Sequence, residues 1–221
     1  MPELEIAVTS LQDALHAVEG GADSIEVLRD LPNGGLTPSP ELAASILADF
    51  SIPVNVIVRP HARGFHYSRE EVEIILRDAQ RFAELGAASI VFGAVTADNH
   101  LDIALIKQIA EAIAPTAVTV HRALDDSAAP EVSLQALVGL VPRILTAGPA
   151  PSAWEGREVT RSWVERYGQH FRFALSGGIR LDQLSELAQT TRAQVYHVGG
   201  AARTDDAVDV DKVRRLREAL R

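Results

Sequence analysis

Residues 117–125 read AVTVHRALD, and this stretch shows the pattern on which the interpretation of the whole chain depends. Two valines alternate with a threonine and His121, which is the period-two pattern of a short strand with one apolar face. Arg122 and Asp125 follow directly. An imidazole, a guanidinium and a carboxylate therefore come together where a strand gives way to a loop, the position at which parallel α/β folds bind ligands. The alternative is that His121 is a hydrogen-bonded core residue and that Arg122 and Asp125 only pin the loop.

Strand patterns of this kind recur along the chain and alternate with helix patterns. The predicted strands cover residues 4–8, 24–28, 53–59, 89–95, 117–125, 143–146, 171–178 and 194–200. The clearest helix runs from Ser68 to about Gly86 and begins with a capping box formed by Ser68 and Glu71. An earlier helix, starting after Ser10, carries one apolar stripe made of Leu11, Ala14, Leu15 and Val18.

Eight strand and helix units predict a (β/α)8 TIM barrel, a compact single α/β domain over residues 1–221. The strands are nearly continuous in apolar character, as expected for strands that are covered on both faces. An open doubly wound sheet is the alternative, because it uses the same alternation without closing.

Composition excludes several classes of protein. Apolar residues make up 47% of the chain, which is enough for a sizeable core, and the net charge of −9 argues against a nucleic-acid binder that relies on a basic surface. Without cysteine the chain has no disulfide, no thiolate metal site and no thiol nucleophile. The sequence shows neither a signal peptide nor an apolar run long enough for a membrane span, so we expect a cytoplasmic protein without a membrane partner.

Charged and titratable residues lie at the ends of the predicted strands. Glu5 and Glu26 occupy otherwise apolar strands, where burying a carboxylate without a partner is costly, so cationic groups should face them. A barrel interior is normally filled by branched apolar side chains, and this set therefore indicates an active site. The candidate catalytic residues are Glu5, Glu26, Arg59, His121, Arg122, Asp125 and His197. The alternative is an internal salt-bridge network.

Glycine-rich turns follow the seventh and eighth predicted strands, where barrels commonly place a phosphate. The candidate anion-binding residues are Ser176, Gly177, Gly178, Gly199 and Gly200. Steric demands of tight turns are the alternative reason for these glycines. We expect Arg203, just beyond, to be a solvated loop residue.

Metal ligation is predicted less clearly. His61, His66 and Tyr67 lie close together in the third loop, but without the spacing of a known metal site. The pair Asp125 and Asp126 is more typical of a loop anchor than of a divalent-cation site. The sequence therefore leaves the metal, if any, unknown.

Ten segments together resemble the CutC family of copper homeostasis proteins. In chain order they are LEIAV, GGADSIEVL, NGGLTPS, VIVRP, GFHYSREE, IVFGAVTADNHLD, VTVHRALD, ILTAG, SGGI and VYH, and they extend from residue 4 to about residue 200. The resemblance implies a (β/α)8 barrel and a part in copper homeostasis. It also implies that the candidate catalytic residues form the site, with the NGGLTPS loop as its rim.

The chain departs from the family pattern at two places. Where family members commonly read ELC, this chain has EVL at residues 26–28, and HARGF at 61–65 replaces RGGDF. Thiolate and thioether ligands are what Cu(I) prefers, and Met1 is the only sulfur-bearing residue here. Copper, suggested as a cofactor by the family name alone, would therefore need His121, His197 or the loop histidines.

Two functions follow from these observations. The first is a cytoplasmic CutC-like protein that binds or responds to copper ion. The second is a barrel enzyme acting on a small phosphorylated or carboxylated metabolite, with Glu5 or Glu26 as general base and His121 transferring protons at neutral pH. Arg59 and Arg122 would hold the anionic group. A third alternative is a binding module or scaffold without turnover. Barrels of this size often associate through their outer helices, so the sequence is also compatible with a homodimer.

Overall fold

Eight parallel strands close into a barrel in the computed structural model, which describes residues 1–221. The strands are β1 (Glu3–Val8), β2 (Ser24–Val27), β3 (Val54–Ile57), β4 (Ser89–Phe92), β5 (Ala117–Val120), β6 (Arg143–Thr146), β7 (Arg172–Leu175) and β8 (Val195–Val198). Each strand pairs with the next, and β1 pairs with β8, where Glu5 lies opposite His197. The predicted TIM barrel is thereby confirmed, and the open sheet is excluded.

Eight helices surround the strands. They are α1 (Leu11–Glu19), α2 (Pro40–Asp49), α3 (Arg69–Glu84), α4 (Ile103–Ala112), α5 (Pro130–Leu137), α6 (Arg157–Tyr167), α7 (Leu181–Thr191) and α8 (Val210–Ala219). The predicted capping box of α3 is confirmed, since Ser68 and Glu71 each bind the other's backbone N–H. None of the helices has both the length and the apolar character needed to cross a membrane.

Two short 3-10 helices and a small hairpin complete the fold. The 3-10 helices cover Leu31–Asn33 and Gly200–Ala202. The hairpin, which the sequence patterns did not predict, pairs β9 (Arg203–Thr204) with β10 (Ala207–Val208). Both the second 3-10 helix and the hairpin lie between β8 and α8.

Most of the apolar core lies between the strands and the helices, in one cluster of 51 buried residues. Inside the barrel the apolar groups are few, because inward positions recur at every second residue of a strand and many of them are polar. One small inner cluster consists of Ala7, Leu28, Ile57 and Val91, and another of Leu145, Ala174 and Val195. The barrel interior is therefore largely polar.

The apolar stripe of α1 faces outward. Leu15 is 49% exposed, and Leu11 and Val18 are exposed as well, whereas an apolar stripe usually faces the core. The buried side of this helix instead presents Asp13, Ala14 and Ala17. Of the four residues in the predicted stripe, only Ala14 packs inward.

A buried ion pair explains that orientation. The Asp13 carboxylate accepts hydrogen bonds from the backbone N–H groups of Thr9 and Val208, each at 2.9 Å, and from Arg203 Nη1 at 3.0 Å. Arg203 also donates to the carbonyl oxygens of Ala7 and Asp206. The expectation that Arg203 is a solvated loop residue is wrong, because it ties the β9–β10 hairpin to α1 and β1.

Candidate functional site

A cavity of about 1310 Å³ opens at the carboxyl ends of the barrel strands. Ten of the residues predicted from the sequence line it together. They are Glu26, Arg59, His121, Arg122, Ser176, Gly177, Gly178, His197, Gly199 and Gly200. Two predicted residues, Glu5 and Asp125, are not among the lining residues and lie behind them in the barrel wall and floor.

Glu5 lies fully buried beneath the cavity and has both carboxylate oxygens occupied. Oε1 accepts from Arg143 Nη2 at 2.7 Å and from His197 Nδ1 at 2.9 Å. Oε2 accepts from Ser24 Oγ at 3.1 Å and from Asn55 Nδ2 at 2.5 Å. Burial alone would raise the pKa of this carboxyl, but the charge of Arg143 and the hydrogen bonds from both cations hold it well below its usual range. Glu5 is therefore a permanent anion that positions its neighbours.

Glu26 lies one strand away and has few partners. Its Oε2 is buried without a hydrogen-bond partner and lies 3.7 Å from His197 Nδ1. Burial raises the pKa of the Glu26 carboxyl to about 7, with the nearby Glu5 charge adding to the effect of burial and the His197 charge opposing it. This carboxyl can thus take up and release a proton near neutral pH.

His197 lies between the two carboxylates, which favour its charged form. Burial lowers the pKa of an imidazole, but the charges of Glu26 and Glu5 and the hydrogen bond to Glu5 outweigh it, so the pKa of His197 is raised. Its Nδ1–H donates to Glu5, and the ring borders the cavity. Glu26 and His197 thus place a carboxyl group and an imidazole side by side at the cavity.

His121 has one ring nitrogen with a backbone partner and one without a protein partner. The backbone N–H of Ala123 donates to His121 Nδ1 at 3.2 Å, which places the proton of the neutral ring on Nε2. That Nε2 is buried and has no protein partner. Burial and the charge of Arg59 lower the pKa of His121 to about 3, which favours the neutral ring and weighs against the predicted proton transfer at neutral pH.

Glycine and an aromatic ring fix the position of the His121 imidazole. A Cβ at Gly93 would lie 2.7 Å from Nδ1, so a side chain there would displace the ring. On its other side the centroid of Phe65 lies 4.8 Å from that of His121. The same Phe65 ring packs against the Arg59 guanidinium at 4.8 Å.

Arg59 joins the cavity wall to the loop of the first 3-10 helix. It lies two residues beyond β3, and its Nη1 donates to the carbonyl oxygens of Asn33 at 2.9 Å and Gly35 at 3.1 Å. Its Nε is buried without a partner. The NGGLTPS loop therefore reaches the cavity at Gly34 and is held in place by Arg59, whose Nε has no protein partner.

Arg122 and Asp125 play different parts. Asp125 accepts from Arg122 Nε at 3.0 Å, from the backbone N–H of Ala147 at 2.8 Å and from the Thr146 hydroxyl, so it anchors the loop behind the wall. Arg122 reaches the cavity beside Gly177, where a Cβ would lie 3.0 Å from its Nη1. The loop-anchor alternative thus describes both residues, because Arg122 Nη2 also donates to the Ala150 carbonyl oxygen at 3.1 Å, but Arg122 borders the cavity as well.

The glycine turns leave backbone donors free. Gly177 and Gly178 have φ values of +96° and +63°, a conformation that favours glycine. The N–H groups of Gly177, Gly178 and Gly199 donate to no protein acceptor, and the Ser176 hydroxyl is buried without a partner. Anion binding at these turns stays a prediction that this geometry permits.

Sequence reasoning missed the polar residues on the barrel floor. Ser89 Oγ donates to Asn55 Oδ1 at 2.7 Å and lies 2.9 Å from Thr119 Oγ1, and Asn55 in turn donates to Glu5. Arg143, at the start of β6, is the cation that the buried Glu5 required. The signal was present, because each of these residues is a polar residue at an inward position of a predicted strand.

One group of three acidic or imidazole side chains has the spacing of a metal site. Ligand atoms of Glu5, Glu26 and His197 lie within 4.8 Å of one another. Glu5, however, already accepts four hydrogen bonds, and Arg143 places a positive charge 2.7 Å from it. This set is a poor match for a cation.

Copper in particular does not fit the residues present. Cu(I) prefers thiolate and thioether ligands, whereas the chain has no cysteine and its one methionine, Met1, is 87% exposed. In the third loop, His61 Nε2 lies 3.1 Å from Glu71 Oε1, and no three-ligand group includes the loop histidines.

Solved structures with the same architecture include a CutC protein and several enzymes. The CutC protein from Streptococcus agalactiae superposes with a TM-score of 0.83 at 26% identity and covers 90% of this chain and 98% of its own. Phosphoribosyl anthranilate isomerase from Thermotoga maritima gives a TM-score of 0.67 at 20% identity, covering 100% of this chain and 98% of its own. At that identity the second likeness shows the fold alone.

Sequence relatives point to one family. A CutC family protein from Xanthomonas campestris pv. campestris is 33% identical over 195 residues, which covers 88% of this chain and 81% of the relative. The human copper homeostasis protein cutC homolog is 32% identical over 206 residues, covering 93% of this chain and 76% of the relative. The model of the CutC family matches residues 2–204. The chain therefore belongs to the CutC family.

Proposed function

We propose that this protein binds a small anionic metabolite in the barrel cavity and transfers protons on it. The observation that carries the proposal is a set of four buried polar atoms without a protein partner, each from a different strand end of the same cavity. They are Glu26 Oε2, Arg59 Nε, His121 Nε2 and Ser176 Oγ. Buried polar atoms in native proteins are nearly always hydrogen-bonded, so four such atoms on residues that line one cavity support a ligand that satisfies them.

The anionic character of the ligand is inferred from the position of particular cations and not from the net charge of the cavity, which is lined by four arginines and by the four acidic residues Glu26, Asp30, Asp205 and Asp206. Arg59 and Arg122 lie at strand ends, and Arg122 lies beside the glycine turn at Gly177. The free N–H groups of Gly177, Gly178 and Gly199 add further donors at one end. Guanidinium and backbone N–H groups together are the usual partners of phosphate and carboxylate.

Proton transfer is assigned to Glu26 and His197. A general base works best when its pKa lies near the operating pH, and burial brings Glu26 into that range. His197 lies beside it, and because the charges of the two carboxylates raise the pKa of its ring, we assign it as the complementary acid. Glu5 is not the base, because it is fully buried and all of its hydrogen-bonding capacity is used.

Ligand screening with a matched pair of serine variants tests binding. Ser176 and Ser127 are both buried with an unpartnered hydroxyl, but only Ser176 lines the cavity. We expect phosphorylated or carboxylated metabolites to raise the melting temperature, with inorganic phosphate as the simplest probe. Ser176→Ala should weaken binding by about 10-fold in calorimetry, and Ser127→Ala should not. If no anion stabilises the protein, or if both variants behave alike, the proposal is wrong.

Copper binding is the second candidate, because the ligand atoms of Glu5, Glu26 and His197 have the spacing of a metal site, although the charge of Arg143 beside Glu5 opposes a cation there. The human relative is named for copper homeostasis. Since the residues suit Cu(I) poorly, we expect the purified, untagged protein to release Cu(I) to a chromophoric chelator. Stoichiometric retention that is lost in His197→Gln would instead establish this function.

A further inference from the structure

The unpartnered atoms of the cavity also constrain the chemistry of its ligand. His121 Nε2–H and Arg59 Nε–H are donors, so the ligand must present oxygen acceptors to both. Glu26 Oε2, when ionised, is an acceptor and requires a proton from the ligand. The ligand therefore carries an acidic hydrogen and an unsaturated or anionic oxygen within the same short segment.

The N–H donor of a neutral His121 ring suits some ligand oxygens better than others. Phosphate or carboxylate is suited to Arg122 and the free glycine N–H groups, which lie together at the β7 and β8 end. His121 stands instead at the end of β5, three strands away from Glu26 on β2 in the closed ring, so the two approach a ligand from different sides. An uncharged N–H donor at a fixed position fits a carbonyl oxygen on which negative charge develops during reaction.

Apolar lining favours chemistry at carbon. Leu28, Ile57, Val91 and Leu145 border the cavity at positions two residues beyond the polar floor. Leu28, Ile57 and Val91 lie at the carboxyl ends of β2, β3 and β4 in turn, so the wall between Glu26 and His121 carries an apolar cluster. An apolar wall favours abstraction of a C–H proton over hydrolysis, which needs an activated water molecule.

We infer that the ligand is an α-hydroxycarbonyl compound bearing a phosphate or carboxylate, and that the protein interconverts its aldose and ketose forms through an enediolate. This inference rests on the proposed function and names its substrate class and reaction. Glu26 is the base, His121 donates Nε2–H to the carbonyl oxygen, and Arg122 with the glycine turns holds the anionic group.

The reaction balances without a co-reactant. Glu26 takes the proton from the carbon next to the carbonyl, and the electron pair of the broken C–H bond forms the C=C bond of the enediolate. The carbonyl π pair becomes the oxygen anion, stabilised by His121 and Arg59. Protonated Glu26 returns the proton to the former carbonyl carbon, the hydroxyl proton moves to the former carbonyl oxygen, and no net oxidation occurs.

Hydrogen exchange with solvent tests this chemistry whichever isomer is the product. The protein in D2O is incubated with dihydroxyacetone phosphate, ribulose 5-phosphate or fructose 6-phosphate and with the unphosphorylated sugars, and 1H NMR follows the C–H signal beside the carbonyl. We expect exchange with at least one phosphate ester and none with its unphosphorylated counterpart. Glu26→Gln should slow exchange by on the order of 100-fold or more, while Ser127→Ala should leave it unchanged.

Binding measured on the same compounds separates two kinds of failure. If a sugar phosphate binds in calorimetry but no C–H exchange is seen, the enolisation inference is overturned and the proposed anion site stands. If exchange persists in Glu26→Gln, the assignment of the base is wrong. If neither these esters nor any other anion binds, the inference and the proposed function fall together.

Discussion

Glu5 and Glu26 have the same side chain and occupy neighbouring strands, yet their surroundings shift their pKa values in opposite directions. Glu5 accepts four hydrogen bonds and faces Arg143, so its pKa is depressed and its charge is permanent. Glu26 is equally buried but has an unpartnered oxygen, and its pKa rises to about 7. Hydrogen-bond partners, rather than burial, decide which carboxylate can exchange protons.

A pH-dependent stability difference should reveal the raised pKa of Glu26. Because its folded-state pKa of about 7 lies above the ordinary value of 4.5, the folded protein binds this proton more tightly than the unfolded chain. Its contribution to stability is therefore present at low pH and lost as the pH rises across that window. Urea titrations should show that wild type loses on the order of 2 kcal/mol more than Glu26→Gln over the window. Parallel pH profiles for the two proteins would contradict the assignment.

Removal of Glu5 should be far more damaging than removal of a surface carboxylate. Glu5→Ala leaves Arg143 buried without its partner, and we expect a loss of about 3–5 kcal/mol in the free energy of unfolding. Glu73→Ala is the matched control, because its pair with Arg69 is exposed and 3.7 Å long, and its loss should stay below about 1 kcal/mol. Chemical denaturation measures both. Equal losses would mean that Glu5 is not the centre of the floor network.

The lowered pKa of Glu5 has the opposite effect on the pH dependence of stability from the raised pKa of Glu26. Its stabilising charge is fully present above the ordinary carboxyl value of 4.5 and is lost as the pH falls. Acid unfolding of wild type should therefore begin at a lower pH than that of any variant that removes Arg143 from Glu5.

Most residues that carry the cavity chemistry could be predicted from the sequence, whereas their ionisation states could not. Strand ends identified Glu26, Arg59, His121 and His197, because polar residues in apolar runs are visible in one dimension. The ionisation of His121 was not predictable, since it depends on burial and on Arg59 from a different strand. Arg143 was overlooked for a related reason: it begins a strand, and its partner Glu5 lies 138 residues away in the chain.

At the scale of elements, α1 shows where periodicity alone fails. Its apolar stripe predicts one orientation, but the hydrogen bonds of Asp13 select another and leave Leu15 exposed. A helix with an apolar stripe normally buries it, so only tertiary contacts could reveal the rotation. The hairpin of β9 and β10 escaped prediction because strands of two residues are too short for any period to appear.

Paired substitutions on α1 test its orientation. Leu15→Gln should change the free energy of unfolding by less than about 0.5 kcal/mol, because the side chain is exposed. Ala17→Gln should cost several times more, because it forces a polar side chain into a fully buried position. Thermal or urea unfolding of the two variants gives the comparison. The reverse order would show that the helix faces the other way.

At the scale of the whole molecule, closure depends on contacts between the first and last parts of the chain. β1 pairs with β8, and the Asp13–Arg203 pair fastens α1 to the segment that follows β8. Eight repeats of strand and helix pattern were enough to predict that the ring closes. The contacts that fasten it were not predictable, because Arg203 has no neighbours in sequence that mark it as buried.

Loss of this fastening should destabilise the barrel as a unit. Asp13→Ala leaves Arg203 buried and removes the acceptor of the Val208 N–H, so we expect a loss of about 3–5 kcal/mol with a single cooperative transition. Glu111→Ala serves as the control, because its pair with Lys107 is exposed at 3.8 Å and should contribute less than about 1 kcal/mol. Calorimetry distinguishes the two outcomes. A separate early transition in Asp13→Ala would show instead that the hairpin and α8 melt independently.

The inner cluster of Ala7, Leu28, Ile57 and Val91 is separate from the large layer of apolar side chains between strands and helices. Three of its members border the ligand cavity. Substitutions at Leu28, Ile57 or Val91 should therefore change the size of molecule that the cavity admits without disturbing the outer apolar layer. Variants that differ at these positions should accept molecules of different size and still have similar melting temperatures.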